Sequence, residues 1–581
     1  MRFQRISITR WRLGIAVATL LALASTAADP ATGQAVAPAR SFVMNGEGSD
    51  STPGGQGAEE GGPRRGAVDR RFSTPAQARG TVHAKHQLSH GDDAAGGDAG
   101  ADADSSKTSA DGPDTAALNE GSLDPAVFGS WQRSSYNLPM RAIHATLLRT
   151  GKVLLLAGSG NQSSVFQAGS FKAGLLNPAT GAYKALNVPY DMFCAGHAQL
   201  PNGNILIVGG TLAYPTANAD WKGSQRVYEF DVAAERWIAR PSLAHGRWYP
   251  SSVQAPSGHV WNFAGQNEYG KRNTQVERYT ASTNTVVQKP AWSLPKYPGL
   301  LWTAKDRVFY AGTRSGGDAG QPGLYNPGTG AVQPVNGITA LDQRRAAATL
   351  FAGDATTQRV IVVGGGWPAT KTTSYIDLRP TTPKGVAGPD LSTAKGYVGA
   401  VNLPTDGSVF QTGGGTGRDT PVYESSVIRG NTVVPMAPNT VARTYHSSTL
   451  LLPDGRVLTM GGDDYGDGFE MQVEIFTPPY LHNGTRPQIT AAPATMAYGG
   501  SYTVSTTASN ASLASAWLIR PSSSTHSVDP NQRAVRLNTT AIAGGLRFTT
   551  PSKYLVQPGY YMMFVNDSQG RPSVARWTKI G

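Results

Sequence analysis

The fold class predicted here is all-β: a seven-bladed kelch-type β-propeller followed by a C-terminal immunoglobulin-like β-sandwich. Three observations predict it. One strand–turn–strand grammar recurs seven times between His144 and Gly462. That grammar gives way, from about Arg486, to short strands spaced by turn residues. No long stretch of helical periodicity occurs after Pro125.

The chain of 581 residues is long enough for two or three folded units. At its start, Arg2, Arg5, Arg10 and Arg12 precede the apolar run "LGIAVATLLALA" (Leu13 to Ala24), and small residues, "STAA", follow. This is the pattern of a signal peptide, expected over residues 1–28, with an uncleaved anchor as the alternative. The run falls short of the roughly 20 apolar residues that a membrane helix needs, and no later run approaches that length. The mature protein is therefore expected to be secreted or otherwise extracytoplasmic, at the cell envelope or in the periplasm, with no transmembrane domain.

Residues 29–124 are dominated by Gly, Ala, Asp, Ser and Pro, as in "GDDAAGGDAGADADSS", and offer little to bury. They are expected to form a disordered tether or processed leader. The net charge of +12 rests on only 15% charged residues, with no basic cluster interleaved with aromatics, so nucleic acid is excluded as a partner. One cysteine, Cys194, allows no internal disulfide. It is an inert buried thiol, half of an intermolecular bridge, or a participant in covalent chemistry with a group other than sulfur.

The propeller is expected over residues 125–485. Its repeats are "HATLLRTGKVLLLAGSG", "HAQLPNGNILIVGG", "SSVQAPSGHVWNFAG", "LLWTAKDRVFYAG", "AAATLFAGDATTQRVIVVGGG", "GAVNLPTDGSVFQTGGG" and "SSTLLLPDGRVLTMGG". Most read as a strand, a turn rich in Pro, Asp, Asn or Gly, and a β-branched strand ending in small residues, a hairpin signal. Further strand-like pieces such as "RVYEFDVAAERWIARPSL" extend each unit to about 50 residues. The sandwich is expected over residues 486–581, from strands such as "SYTVSTT", "SAWLIRP", "LRFTT" and "YYMMFV".

Aligning the repeats on the turn proline places Cys194, Tyr249, Tyr397 and His446 each seven positions before it. The repeat from Ala346 lacks the proline, and Arg344 or Arg345 falls at the corresponding place. Equivalent positions of successive blades share height and radius, so these side chains are expected to converge at one end of the channel. Tyr445 adjoins His446 at the irregular entrance to a strand. Two phenols, an imidazole and a thiol suggest a metal centre of mixed N and O donors, and one more nitrogen completes a tetragonal set favouring Cu(II). His526, in the loop "SSSTHSVDP" of the C-terminal domain, is the candidate for that nitrogen. A propeller alone leaves two classes open, an enzyme and a non-catalytic glycan- or surface-binding module. A sialidase-like hydrolase would need paired carboxylates or a Tyr/Glu couple with an arginine triad, an arrangement that the sequence does not offer.

From about Phe128 onward the sequence resembles the galactose oxidase and glyoxal oxidase family of copper radical oxidases. The resemblance is carried by "MFCAGHAQLPNG", "RWYPSS", "ARTYHSSTLLLPDGRVLTMGG", "EIFTPPYL", "STHSVDPNQR" and "PGYYMMFVNDSQGRPSVA", in family order. It implies an early-set sandwich at the C-terminus and one copper ion held by Tyr249, Tyr445, His446 and His526. It also implies a thioether between Cys194 and Tyr249 that serves as a protein-derived radical cofactor, with Tyr445 as general base. The implied reaction is the oxidation of a primary alcohol or aldehyde, carbohydrates included, by O2 with release of H2O2, in a monomer. Where galactose oxidase stacks a tryptophan over the thioether, the corresponding loop "FAGQNEYG" has Asn267 near that position; Trp367, Tyr269 and Tyr397 are the substitutes expected for radical shielding. Arg344 and Arg345 are candidates for orienting a substrate hydroxyl or carboxylate. The low-complexity segment at the front, in place of a carbohydrate-binding sandwich, places the chain nearer the glyoxal oxidase branch.

Overall fold

The computed structural model of the protein describes residues 123–314, 320–338, 347–463, 468–509 and 512–581. The expected signal peptide, nearly all of the low-complexity segment, and Arg344 and Arg345 lie outside the described residues. Among the described residues the α-helices are two short ones, Pro125–Phe128 and Ser163–Gln167.

Seven antiparallel sheets contain a run of four strands paired in meander order. Their first strands are His144–Leu147, Gly196–Gln199, Ser251–Gln254, Leu300–Trp302, Ala348–Gly353, Gly399–Asn402 and Ser448–Leu451. These inner strands are almost wholly buried; the second to fourth and the fifth to seventh lie beside one another in sequence order, and the seventh returns to the first. The fourth strands, such as Tyr183–Leu186 and Thr285–Lys289, alternate between exposed and half-buried residues, as expected of an outer rim. The seventh sheet takes its fourth strand from the start of the described chain: Ser130–Asn137 pairs with Gln472–Thr477, with Ser130 opposite Thr477. Trp131 seals that junction, packing on Phe476 and Phe410 and donating its indole N–H to the Ala437 carbonyl at 2.8 Å.

The C-terminal region forms a second set of strands. One sheet joins Ile489–Ala491, Ser501–Thr506, Gly545–Thr549 and Thr539–Ile542. The other is built on Leu513–Arg520, Gly559–Asp567 and Arg576–Ile580 and continues through Arg533–Arg536 into the fifth sheet, where Phe351 stands opposite Arg533 in parallel register. Inside that junction Arg533 is buried, donating to the carbonyls of Leu555 and Trp302 at 2.8 Å each. A second bridge matters more for the site. The short strand Ser523–Thr525 pairs antiparallel with His144–Leu147, so the C-terminal region lays one strand along the inner strand of the first sheet and carries His526 into the hub.

Candidate metal centre

Cys194, Tyr249, Tyr397 and His446 each stand two residues before an inner strand, and each has a left-handed backbone, with φ of 59°, 66°, 55° and 62°. Tyr297, before the fourth inner strand, joins them at 43°. Non-glycine residues take this conformation rarely and at a cost of about 1–3 kcal/mol each, and such residues cluster at functional sites. Here one backbone device, repeated around the hub, turns a side chain inward ahead of five of the inner strands. Two of the entrances are clamped alike. Buried Arg247 pairs with Glu277 at 2.8 Å and donates to the Ala264 carbonyl at 2.8 Å; buried Arg443 pairs with Glu474 at 3.3 Å and donates to the Gly461 carbonyl at 2.9 Å.

The side chains so presented meet. The hydroxyls of Tyr249 and Tyr445 are in hydrogen-bond contact, and His526 Nε2 lies 3.1 Å from the Tyr249 hydroxyl. Ligand atoms of Cys194, His446 and His526 lie within 4.8 Å of one another. The Tyr445 and His446 rings stack at 3.8 Å between centroids, and His446 meets His526 edge-on at 4.5 Å. All five side chains are at most 4% exposed. Cys194 and Tyr249 belong to one buried cluster, and the Tyr249 amide donates to the Cys194 carbonyl at 3.0 Å.

Both histidines are oriented through Nδ1. His446 Nδ1 donates to Asp463 Oδ2 at 2.8 Å. Thr525 Oγ1 donates to the Ile143 carbonyl at 3.2 Å and accepts from His526 Nδ1 at 2.6 Å. Each ring thus keeps its Nε2 lone pair for the centre, the arrangement typical of metal-ligating histidine. Burial, reinforced by nearby His446, Arg418 and His197, holds His526 well below the usual histidine range and therefore neutral. Two phenol oxygens and two imidazole nitrogens converging in a buried hub fit copper and suit zinc, calcium or magnesium less well.

The aromatic cover of Tyr249 differs from the expectation. Trp248 stacks on it, with centroids 3.9 Å apart and planes at 19°, and Trp221 stacks behind Trp248 at 4.6 Å and 4°. Tyr297 covers Tyr249 from another direction at 4.5 Å and donates its hydroxyl to the Ala195 carbonyl at 2.8 Å. The expected substitutes lie elsewhere. Trp367 and Tyr269 are 48% and 69% exposed, and Tyr397 packs on Tyr445 at 5.4 Å. The Asn267 side chain accepts from the amides of Tyr269 and Lys271 within its own turn. Alternation along a strand would put Trp248 and Tyr249 on opposite sides, and the left-handed backbone at Tyr249 breaks that alternation.

Sequence reasoning also passed over Tyr297, Asp463 and Arg418. The fourth repeat has no turn proline to count from, although a tyrosine ahead of its inner strand was the available signal. Asp463 directly follows the Gly-Gly that ends the seventh repeat. The Arg418 guanidinium lies 3.6 Å over the Tyr445 ring, 8% exposed, on a loop with no local signature.

Comparison with known proteins agrees with this geometry. Residues 486–580 match the family model "Galactose oxidase-like, Early set domain". Galactose oxidase of Gibberella zeae is 31% identical over 451 residues, covering 70% of this chain and 63% of its own, so the chain spans somewhat under two thirds of that relative. The aldehyde oxidase GLOX of Vitis pseudoreticulata is 24% identical over 533 residues, covering 78% of this chain and 97% of its own. A fungal alcohol oxidase solved in complex with copper shares the fold, with a TM-score of 0.65 at 23% identity, covering 78% of this chain and 99% of its own. The chain is thus similar to galactose oxidase and glyoxal oxidase proteins over most of its described length, and its C-terminal region matches the galactose oxidase-like early-set domain.

Proposed function

We propose that the protein is a secreted copper radical oxidase that converts a primary alcohol, or an aldehyde as its hydrate, with O2, into the more oxidised carbonyl product and H2O2. One observation carries this reading: Tyr249, Tyr445, His446 and His526, from three separate regions of the chain, converge beside the single cysteine. These four would hold the ion. Bound there, copper would supply a one-electron acceptor and a Lewis acid for the substrate oxygen.

The chain's own residues supply the rest. Removing two electrons and two protons from an alcohol needs a second oxidising equivalent, which Tyr249 holds as a phenoxyl radical, stabilised by a thioether to Cys194. Trp248, Trp221 and Tyr297 exclude water from that ring and spread its spin density. Tyr445 takes the hydroxyl proton of the substrate as general base, with the Arg418 guanidinium packed over its face. The Tyr249 radical abstracts the hydrogen on the adjacent carbon. Tyr397, against Tyr445, and Trp367 line the approach to these groups. Residues 1–28 direct export, and residues 29–124 act as a tether or leader.

The test is mass spectrometry of the protein loaded with copper in air. The intact mass falls by two hydrogens, and a crosslinked peptide holding Cys194 and Tyr249 survives reducing agent. Cys194→Ser abolishes both the mass loss and most of the turnover. Undiminished oxidation by that variant would overturn the radical mechanism.

A further inference from the structure

The continuation of the fifth sheet into the C-terminal sandwich creates a cleft remote from the hub residues described above. A wedge lies beside the junction at which Phe351, Ala352 and Gly353 pair in parallel with Arg533, Ala534 and Val535, lined by residues of the fifth and sixth sheets and of the C-terminal region. The wedge encloses a volume of about 750 Å³, within the range of small-ligand sites. Its lining includes residues that follow the inner strands, among them Asp354 and Thr405. The proposed metal ligands of the propeller precede inner strands, so the cleft opens at the opposite end of the blades.

Two aromatic side chains form its floor: Trp517, 5% exposed, and Tyr375, 9% exposed. The Trp517 indole N–H and the Gln358 Oε1 have no hydrogen-bond partner among the described residues. Charge on the walls is unbalanced in effect. Asp377 is paired with Arg379 at 2.6 Å and Asp406 with Arg429 at 2.8 Å, while Asp354 accepts from the amides of Thr356 and Thr357. Two of the three carboxylates of the lining are thereby paired with arginines, which leaves Asp354 as its one unpaired acid among the described residues. Three cations of the lining, Arg359, Lys384 and Arg536, have no ion-pair partner among the described residues. Arg359 is also held in place, 4.9 Å over the Tyr375 ring.

Planar guanidinium forks above an aromatic floor, with amide groups between, suit a ligand bearing carboxylates on a hydroxyl-rich, partly apolar framework. The rings are set too deep to act as base-stacking platforms, which disfavours single-stranded nucleic acid. We propose that this cleft binds an acidic oligosaccharide, with Arg359 and Arg536 pairing its carboxylates, and so anchors the protein to a charged glycan independently of the metal centre.

Calorimetric titration of the full chain, with and without copper, tests this against a short oligogalacturonate, a neutral glucan of equal length, and citrate. The acidic saccharide is expected to bind equally well to both metal states, more weakly as salt rises, and at least about tenfold more tightly than the other two. Combined Arg359→Ala and Arg536→Ala should weaken it by roughly tenfold or more while copper loading and oxidation of a small alcohol stay unchanged. Lys384→Glu, at an exposed position, gives a second reading if the double variant folds poorly. Equal affinity for the neutral glucan, or wild-type binding by these variants, overturns the proposal. Citrate binding as tightly as the saccharide overturns it too, reducing the cleft to a small-anion site. Because copper-free protein is included, loss of the oxidase reading and loss of this one are separable.

Discussion

Trp248 occupies the face of Tyr249 from the adjacent position in sequence, and its 19° tilt and 3.9 Å centroid separation make the pair an offset stack, extended by Trp221. Such contacts are worth about 0.5–1.5 kcal/mol beyond the area they bury. In the proposed mechanism their larger effect is on lifetime, since a phenoxyl radical on Tyr249 covered by stacked indoles would be kept from water and from exogenous reductants. Trp248→Leu is therefore expected to leave thioether formation and copper content intact while shortening the radical's lifetime by at least about tenfold, as followed by its absorbance and electron paramagnetic resonance. The lost ring leaves a cavity at a fully buried position, so stability should also fall, by about 2–5 kcal/mol. A radical as long-lived as in the parent protein would show that the stack is packing alone. Tyr397 and Tyr297 carry the same left-handed backbone as the proposed ligands, so inward projection at this position is a property of the repeat, and the chemistry depends on which side chain occupies it.

At the scale of an element, the loop that presents Cys194 is held by Asp191. Its carboxylate accepts from the Ser159 amide at 2.7 Å, the Ser159 hydroxyl at 2.6 Å and the Phe193 amide at 3.0 Å, tying the loop to the end of the neighbouring sheet. Burial nevertheless outweighs these bonds and raises the carboxyl from its ordinary 3.8 to about 6. The unfolded chain ionises first, so the stabilisation from this group is complete below about pH 4 and is lost as pH rises through about 6. The gap corresponds to about 3 kcal/mol. Asp191→Asn does not titrate, so its stability relative to the parent should improve by about that amount between pH 4 and pH 7 in urea unfolding. A difference independent of pH would mean that Asp191 is ionised throughout. Elements of this local kind were legible in the sequence: each repeat announces its inner hairpin through its turn residues and small-residue ending, because the hairpin register is set by the turn. The closing strand Ser130–Asn137 was not, since its partner Gln472–Thr477 lies at the far end of the propeller and nothing local marks the pairing. Trp248 was hidden for a related reason, because the rule that reads strands fails where the backbone turns left-handed.

In the whole molecule, the hub is completed by a residue from outside the repeats. His526 was visible as a candidate because its motif accompanies the others, but the route that brings it in depends on Ser523–Thr525 pairing with His144–Leu147, a contact between the two ends of the described chain. That pairing also fixes the ring, because Thr525 stands opposite His144 in the ladder and its hydroxyl accepts from His526 Nδ1. Deleting the C-terminal region would be a poor test of this dependence. It would expose Phe351 and remove Arg533, whose guanidinium lies 4.8 Å over that ring, from the junction, so that misfolding would mask any effect on the centre. His526→Ala is cleaner. The ladder is made by backbone groups and remains, so the thermal midpoint of the copper-free variant should stay within a few degrees of the parent. Copper affinity should fall by about a hundredfold, as expected when one of two nitrogen donors in a set of four ligands is lost, and the proposed Cys194–Tyr249 crosslink should not form at copper concentrations that saturate the parent. A variant that binds copper as tightly as the parent would remove the C-terminal region from the metal centre. It would leave the sandwich as a structural brace and confine the site to the propeller.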